Sequence, residues 1–251
     1  MFVCFKKGLE KGIFMKKSVL IVGAGSGLSA SLANLFHKED MAICLAARNV
    51  EKLNDLSQKT GAFVFQCDTS KPKEVTNLFK FSDGHIGVPE IVIYNPSSRV
   101  RGPVIELDPE ETKKALDITC YGGFLVAREA AIRMVKRGSG SIFFTSASAG
   151  VKGFANSSVF AMGKFGLRGL AQSMARELHP KNIHIGHFVI DGGISSGASS
   201  DQSADRKKRH DDGSDKWLNP DEIAKTYLDF HRQHRSSWAW EIELRPWVEN
   251  F

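Results

Sequence analysis

The chain has 251 residues, 42% hydrophobic and 25% charged, an ordinary globular balance for one large domain that excludes wholesale disorder. No run approaches the ~18 apolar residues of a membrane-spanning helix, so no membrane partner is expected. The 34 basic and 28 acidic side chains leave a net charge of +6, but they are spread out. The densest basic run, Arg206 to His210, is flanked by Asp205, Asp211 and Asp212, and no groove-reading motif accompanies it, so nucleic acid is not the expected partner.

Residues 1–15 are interrupted by Lys6, Lys7, Glu10 and Lys11 and lack the continuous apolar region of a signal peptide. They read as an appendage, with one domain over 16–251 and a cytoplasmic location. Ser18 to Val22 is a first apolar strand ending at Gly23, and Leu28 to His37 follows as a helix. Strand and helix then alternate: strand Met41 to Ala46, helix Val50 to Lys59, strand Ala62 to Cys67, helix Lys73 to Phe81, strand Glu90 to Tyr94. Asp108, Pro109 and Glu111 form a helix start, with a cap, a first-position proline and a third-position acid, and that helix is expected to run on to Arg137. Strand Ser141 to Thr145, helix Ser157 to Leu178 and strand Ile183 to Ile190 come next. Asn219-Pro220-Asp221-Glu222 starts a last helix before a closing strand, Glu241 to Leu244. Between them Ser195 to Asp215 is polar and charged, and reads as a lid-like loop.

Continuous apolar strands alternating with helices predict an α/β fold. It is a single Rossmann-like, doubly wound parallel sheet of about seven strands with helices on both faces, and its ligands gather at the strands' carboxyl ends. Four cysteines, Cys4, Cys44, Cys67 and Cys120, form no CxxC pair, so neither a metal site nor a disulfide framework is expected.

The first strand runs into Gly23-Ala24-Gly25-Ser26-Gly27-Leu28-Ser29. Glycine permits the tight turn and lets a pyrophosphate approach the N–H groups at the helix N-terminus. At this point the chain resembles the short-chain dehydrogenase/reductase family, over roughly Lys16 to Glu243. Gly23, Gly27 and Ser29 stand where the family has three glycines, the third being replaced. Asp68 ends the third strand where the family's aspartate meets adenine. Tyr94-Asn95-Pro96-Ser97 stands at its Asn-Asn-Ala-Gly station, and Lys164 opens a Lys-Phe-Gly-Leu-Arg-Gly-Leu stretch typical of its active-site helix. Asp191-Gly192-Gly193-Ile194 replaces its Pro-Gly turn. The resemblance implies a cofactor held by Gly23, Gly25, Ser26, Gly27, Leu28, Arg48, Asn49, Asp68, Asn95, Lys164, Gly192 and Ile194.

The second strand ends Ala46-Ala47-Arg48-Asn49. An acid there would bind a ribose 2′-hydroxyl and repel a 2′-phosphate. Arg48 offers a planar donor fork instead. NADP is therefore expected rather than NAD, with Asn49 or Lys52 assisting.

The family's Asn, Ser, Tyr and Lys divide the chemistry among them: the tyrosine passes the proton, the lysine lowers its pKa and the serine steadies the substrate oxygen. Here those stations read Thr119, Ala147, Phe160 and Lys164. Ser146 and Ser148 flank the serine station, and Tyr94 or an ordered water is expected to stand in for the acid. His184 and His187 are expected to pack, and Tyr121 to face away. The functional expectation is NADPH-linked reduction of a carbonyl or enone small molecule at an atypical site. The alternative is a catalytically silent NADP(H)-binding sensor or scaffold. The resemblance also implies a homodimer or homotetramer joined through the fifth and sixth helices, with Gly122-Gly123 permitting close approach and three tail tryptophans suiting burial or a subunit contact.

Overall fold

A computed structural model of the chain describes residues 17–195 and 213–249. The expected appendage lies outside the described residues, as do residues 196–212 of the expected lid and its basic run.

Seven parallel strands form one sheet: β1 (Ser18–Val22), β2 (Ala42–Ala47), β3 (Phe63–Gln66), β4 (Ile91–Tyr94), β5 (Gly140–Thr145), β6 (Ile183–Ile190) and β7 (Glu241–Leu244). Their order is β3-β2-β1-β4-β5-β6-β7, so the connections reverse direction between β1 and β4 and leave a crevice at the carboxyl edge. Val22 lies beside both Ala46 and Tyr94, and Tyr94 beside Phe144, so four strands end nearly level.

The helices are α1 (Leu28–Lys38), α2 (Asn54–Thr60), α3 (Pro72–Ile86), α4 (Pro109–Leu116), α5 (Gly122–Arg137), α6 (Ser158–Leu178) and α7 (Pro220–His231). Strand side chains alternate between two faces, and the core divides accordingly. Leu20, Val22, Val92, Tyr94, Ile142 and Phe144 pack with Val126 and Leu167 from α5 and α6. Val19, Ile21, Ile43, Ile93 and Phe143 pack with Leu32 and Phe36 of α1 and with Tyr227 and Phe230 of α7. Gly186 on β6 leaves room for that second cluster, since a Cβ there would lie 2.8 Å from the Phe143 and Phe230 rings.

Two helix starts follow the capping logic. Asp108 Oδ1 accepts from Glu111 N at 2.8 Å, and Asn219 Oδ1 from Asp221 N at 2.8 Å. The expected single helix from Asp108 to Arg137 is instead broken by a π turn, Asp117–Tyr121, between α4 and α5. The cause is a side chain from the sheet: the Tyr94 hydroxyl donates to the Ile118 carbonyl. Gly122 has to be small because a Cβ there would lie 2.6 Å from that hydroxyl, and one on Gly123 would lie 2.7 Å from Leu167. Both glycines therefore face the core of their own chain, which corrects the expectation that they open a path to a second subunit. The expected helix Val50 to Lys59 opens as a 3₁₀ turn, Glu51–Leu53, before α2. Helix α3 runs five residues past its expected end, to the buried Ile86.

Candidate functional site

A cleft of about 1470 Å³ opens along the carboxyl edge of the sheet. That exceeds the roughly 300–1,000 Å³ of a site for one drug-sized ligand, and leaves room for a dinucleotide and a second molecule. Its floor is the β1–α1 turn. Gly23 adopts φ +80°, a conformation open to glycine, and a Cβ there would collide with Pro96. Gly25 and Gly27 face open space, the first turn of α1 carries no acid, and no side chain caps its N-terminus. An anion can therefore reach the backbone amides, which the helix dipole favours. Ser26 and Leu28 line the same stretch. Ser29 is buried and structural: Asn95 Nδ2 donates to its Oγ at 2.8 Å, and that hydroxyl donates to the Gly23 carbonyl at 3.3 Å. Asn95 thus ties the β4 loop to the phosphate turn while lining the cleft.

At one end of the cleft stand Arg48, Asn49 and Lys52. Arg48 is exposed, and its carbonyl accepts from Gln66 Nε2 at 3.0 Å. Asn49 Oδ1 accepts from Glu51 N at 3.1 Å, where the 3₁₀ turn begins. Asp68 lies near them. Burial opposes its charge, but hydrogen bonds from Ser70 and the cations Lys71 and Arg48 hold its carboxyl below the usual range. Gly192 (φ +152°) and Ile194 close the far side.

The other end is built by β5 and α6. Lys164 is 3% exposed, and its Nζ donates to the Thr145 carbonyl at 2.7 Å. Burial pushes its ammonium down to about 7, and the positive charge of Arg99 adds to the effect. Phe160, one helical turn earlier, lines the cleft, and the Arg99 guanidinium lies 4.2 Å from its ring centroid. Ser146 also lines the cleft, and its buried Oγ finds no hydrogen-bond partner among the described residues.

Three sequence candidates fall outside the cleft. Tyr94 is fully buried, with its hydroxyl spent on the Ile118 carbonyl and beside Thr69 Oγ1 at 3.3 Å, and burial raises its phenol pKa far above the ordinary value. It therefore holds the π turn and does not stand in as an acid. Ser148 begins a 3₁₀ turn away from the cleft lining. Thr119 lies under Gly163, with its Oγ1 accepting from Ser98 N at 2.9 Å, so it positions the β4 loop. His184 and His187 are buried packing residues, as expected, and Tyr121 is exposed. Arg99 was not singled out from the sequence, because a lone arginine in a loop carries no spacing signal.

The profile of the short chain dehydrogenase family matches residues 17–207. The chain belongs to that family. An uncharacterized oxidoreductase of Staphylococcus aureus (strain USA300) is 25% identical over 241 residues, covering 93% of this chain and 99% of the relative. The crystal structure of a short-chain dehydrogenase from Rhodopseudomonas palustris is 33% identical with a TM-score of 0.78, covering 92% of this chain and 99% of that one. A metagenomic short-chain oxidoreductase in complex with NADP shares the fold at 21% identity and a TM-score of 0.78, covering 94% and 99%. This chain is thus an oxidoreductase of the short-chain dehydrogenase type with a nucleotide-binding Rossmann-like domain. Among the described residues no helix is long and apolar enough to cross a membrane, and no group of three His, Cys, Asp or Glu gathers to hold a metal.

Proposed function

We propose that the protein is an NADPH-linked reductase of a small carbonyl or enone compound, working at an atypical site in which Phe160 stands where the family uses tyrosine. The observation that carries this reading is the polarity of the cleft. The open phosphate turn lies between a cationic end, Arg48 and Lys52, and a buried lysine, Lys164. The NADP bound by the metagenomic relative supports it. Gly25, Gly27 and the α1 N-terminus would hold the pyrophosphate, Arg48 and Lys52 a 2′-phosphate, and Lys164 the nicotinamide ribose. When bound, the cofactor supplies a hydride. The chain supplies the proton. Phe160 has none to give, whereas Lys164 Nζ, brought near neutrality by burial and by Arg99, holds one that it can release at working pH. A small-molecule substrate enters beside Phe160 and Ser146.

Titration by tryptophan fluorescence at fixed salt is expected to show NADPH binding about tenfold or more tighter than NADH, and Arg48→Asp is expected to reverse the order through lost donors and new repulsion. With carbonyl and enone substrates, NADPH oxidation is expected to fall as pH rises through about 7. Equal cofactor affinities would remove the assigned role of Arg48. Binding without turnover across the panel would leave a silent NADP(H) binder.

The same proposal includes a homodimer or homotetramer. Tyr121, Phe124, Ile132 and Val135 around α5, with Met162 and Phe165 on α6, form exposed apolar positions on neighbouring helices.

A further inference from the structure

The substrate end of the cleft is electropositive by construction. Arg99 comes from the β4–α4 connection, lines the cleft and is exposed at its rim. Its guanidinium lies 4.2 Å from the Phe160 ring centroid, and Lys164 Nζ lies 5.9 Å from the same ring. The aromatic face therefore orients one cation and adjoins a second. The acids lining the cleft, Glu51, Asp55 and Asp68, belong to the β2–α2 connection, the first turn of α2 and the β3–α3 connection. Those segments lie on the opposite side of β1 from β4 and β5. Among the described lining residues, then, the end beside Phe160 carries Arg99 and Lys164 with no acid, whereas the end at Arg48 and Lys52 mixes both signs.

We infer that Arg99, held on the face of Phe160, binds an anionic group of the substrate, so that the enzyme takes carbonyl or enone compounds bearing a carboxylate. A guanidinium presents two parallel N–H donors to a carboxylate, and a charge-assisted pair of this kind is strong where solvent is partly excluded. Replacing a phenol by phenylalanine at residue 160 gives the stack a ring with no hydroxyl to compete for the guanidinium. Burial is the main cause of the depressed Lys164 ammonium and the Arg99 charge adds to it; a bound carboxylate relieves the repulsion between the two cations. The inference rests on the reductase reading of the same cleft, but binding tests it separately from turnover.

The experiment is calorimetric titration of the protein loaded with oxidised NADP, which has no hydride to transfer, with phenylglyoxylate and with phenylglyoxylamide, a pair differing in charge at one group. The acid is expected to bind about tenfold or more tighter than the amide, a gap of the size one charge-assisted pair supplies. Arg99→Gln is expected to bring the two within about twofold while NADPH affinity and the thermal midpoint stay in place. Arg99→Lys is expected to restore part of the preference, since it keeps the charge but loses the fork. Equal binding of acid and amide to the native protein, binding of neither, or a preference that survives Arg99→Gln would each overturn the inference. If the acid preference holds and depends on Arg99 while no compound is reduced, the reductase reading falls and the anion site stands.

Discussion

Lys164 shows how one residue's burial becomes a property of the whole protein. Its Nζ reaches the Thr145 carbonyl at 2.7 Å, and burial pushes its pKa from 10.5 to about 7. In the unfolded chain the ammonium stays protonated up to its ordinary value. Between about pH 7 and 10.5 the unfolded state therefore binds more protons, and stability rises with pH across that window. Lys164→Met removes the buried charge. At pH 6 the variant is expected to exceed the native protein by about 1 kcal/mol or more, even after losing a hydrogen bond worth ~1 kcal/mol. The advantage is expected to shrink by pH 9. Urea unfolding at both pH values reads it, and a gap independent of pH would mean that Lys164 keeps its charge when buried. Tyr94 makes the complementary point. It stands level with the cleft along the chain, yet its ring faces the α5 core and its hydroxyl serves the π turn.

At the level of elements, β6 and β7 with the segment around them carry aromatic and ionic ties that stand apart from the cleft. His184 on β6 lies between the Phe230 ring of α7 (4.7 Å, 12°) and Trp238 (4.4 Å, 3°), and its Nε2 lies 2.8 Å from the Ala239 carbonyl. On the other face His187 Nδ1 meets Glu241 of β7 at 2.9 Å, and Arg168 of α6 holds the same carboxylate at 2.7 and 2.8 Å. Burial holds both histidines neutral, at about 4. As pH falls from 6.5 toward 4 the unfolded chain takes up protons that the folded one refuses, so stability drops through that window. His184→Phe keeps the stack and removes one titrating group. It is expected to cost ~1 kcal/mol at pH 7 through the lost Ala239 contact, and to flatten the fall in urea midpoint between pH 6.5 and 4.5. An unchanged acid slope would assign the effect to His187 and other groups.

The whole molecule is a sheet with reactive groups gathered along one edge and apolar side chains left on one flank. Tyr121 and Phe124 stack at 6.1 Å while remaining 43% and 44% exposed, and Met162 and Phe165 of α6 are similarly open. A stable subunit contact buries about 800 Å² per partner around aromatic and aliphatic anchors, and this flank offers such anchors. Sedimentation is expected to show a dimer or tetramer at micromolar concentration. Phe124→Glu with Phe165→Glu is expected to give a monomer that keeps its NADPH affinity, because charges buried without partners cost several kcal/mol. A native monomer would remove the proposed contact.

Much of this molecule is legible in the chain alone, for local reasons. Strand runs such as Ser18 to Val22 and Ile183 to Ile190 are mostly apolar and buried on both faces because helices cover both. The caps at Asp108 and Asn219 act over three residues or fewer, and the phosphate turn is spelled by glycines that must sit together. Those features depend on neighbours in sequence, so period and spacing reveal them. The π turn that splits the long helix depends on a hydroxyl 24 residues away, on β4, and the inward orientation of Gly122 depends on that same group. Whether Tyr94 or Ser146 faces the cleft turns on which side of a strand end each one leaves, which a shift of one residue inverts. Arg99 meets Phe160, and β7's Glu241 meets Arg168 and His187, across sequence separations where no periodicity operates. The fold class follows from burial patterns written along the chain, while the identities of the groups sharing the cleft follow from packing between distant segments.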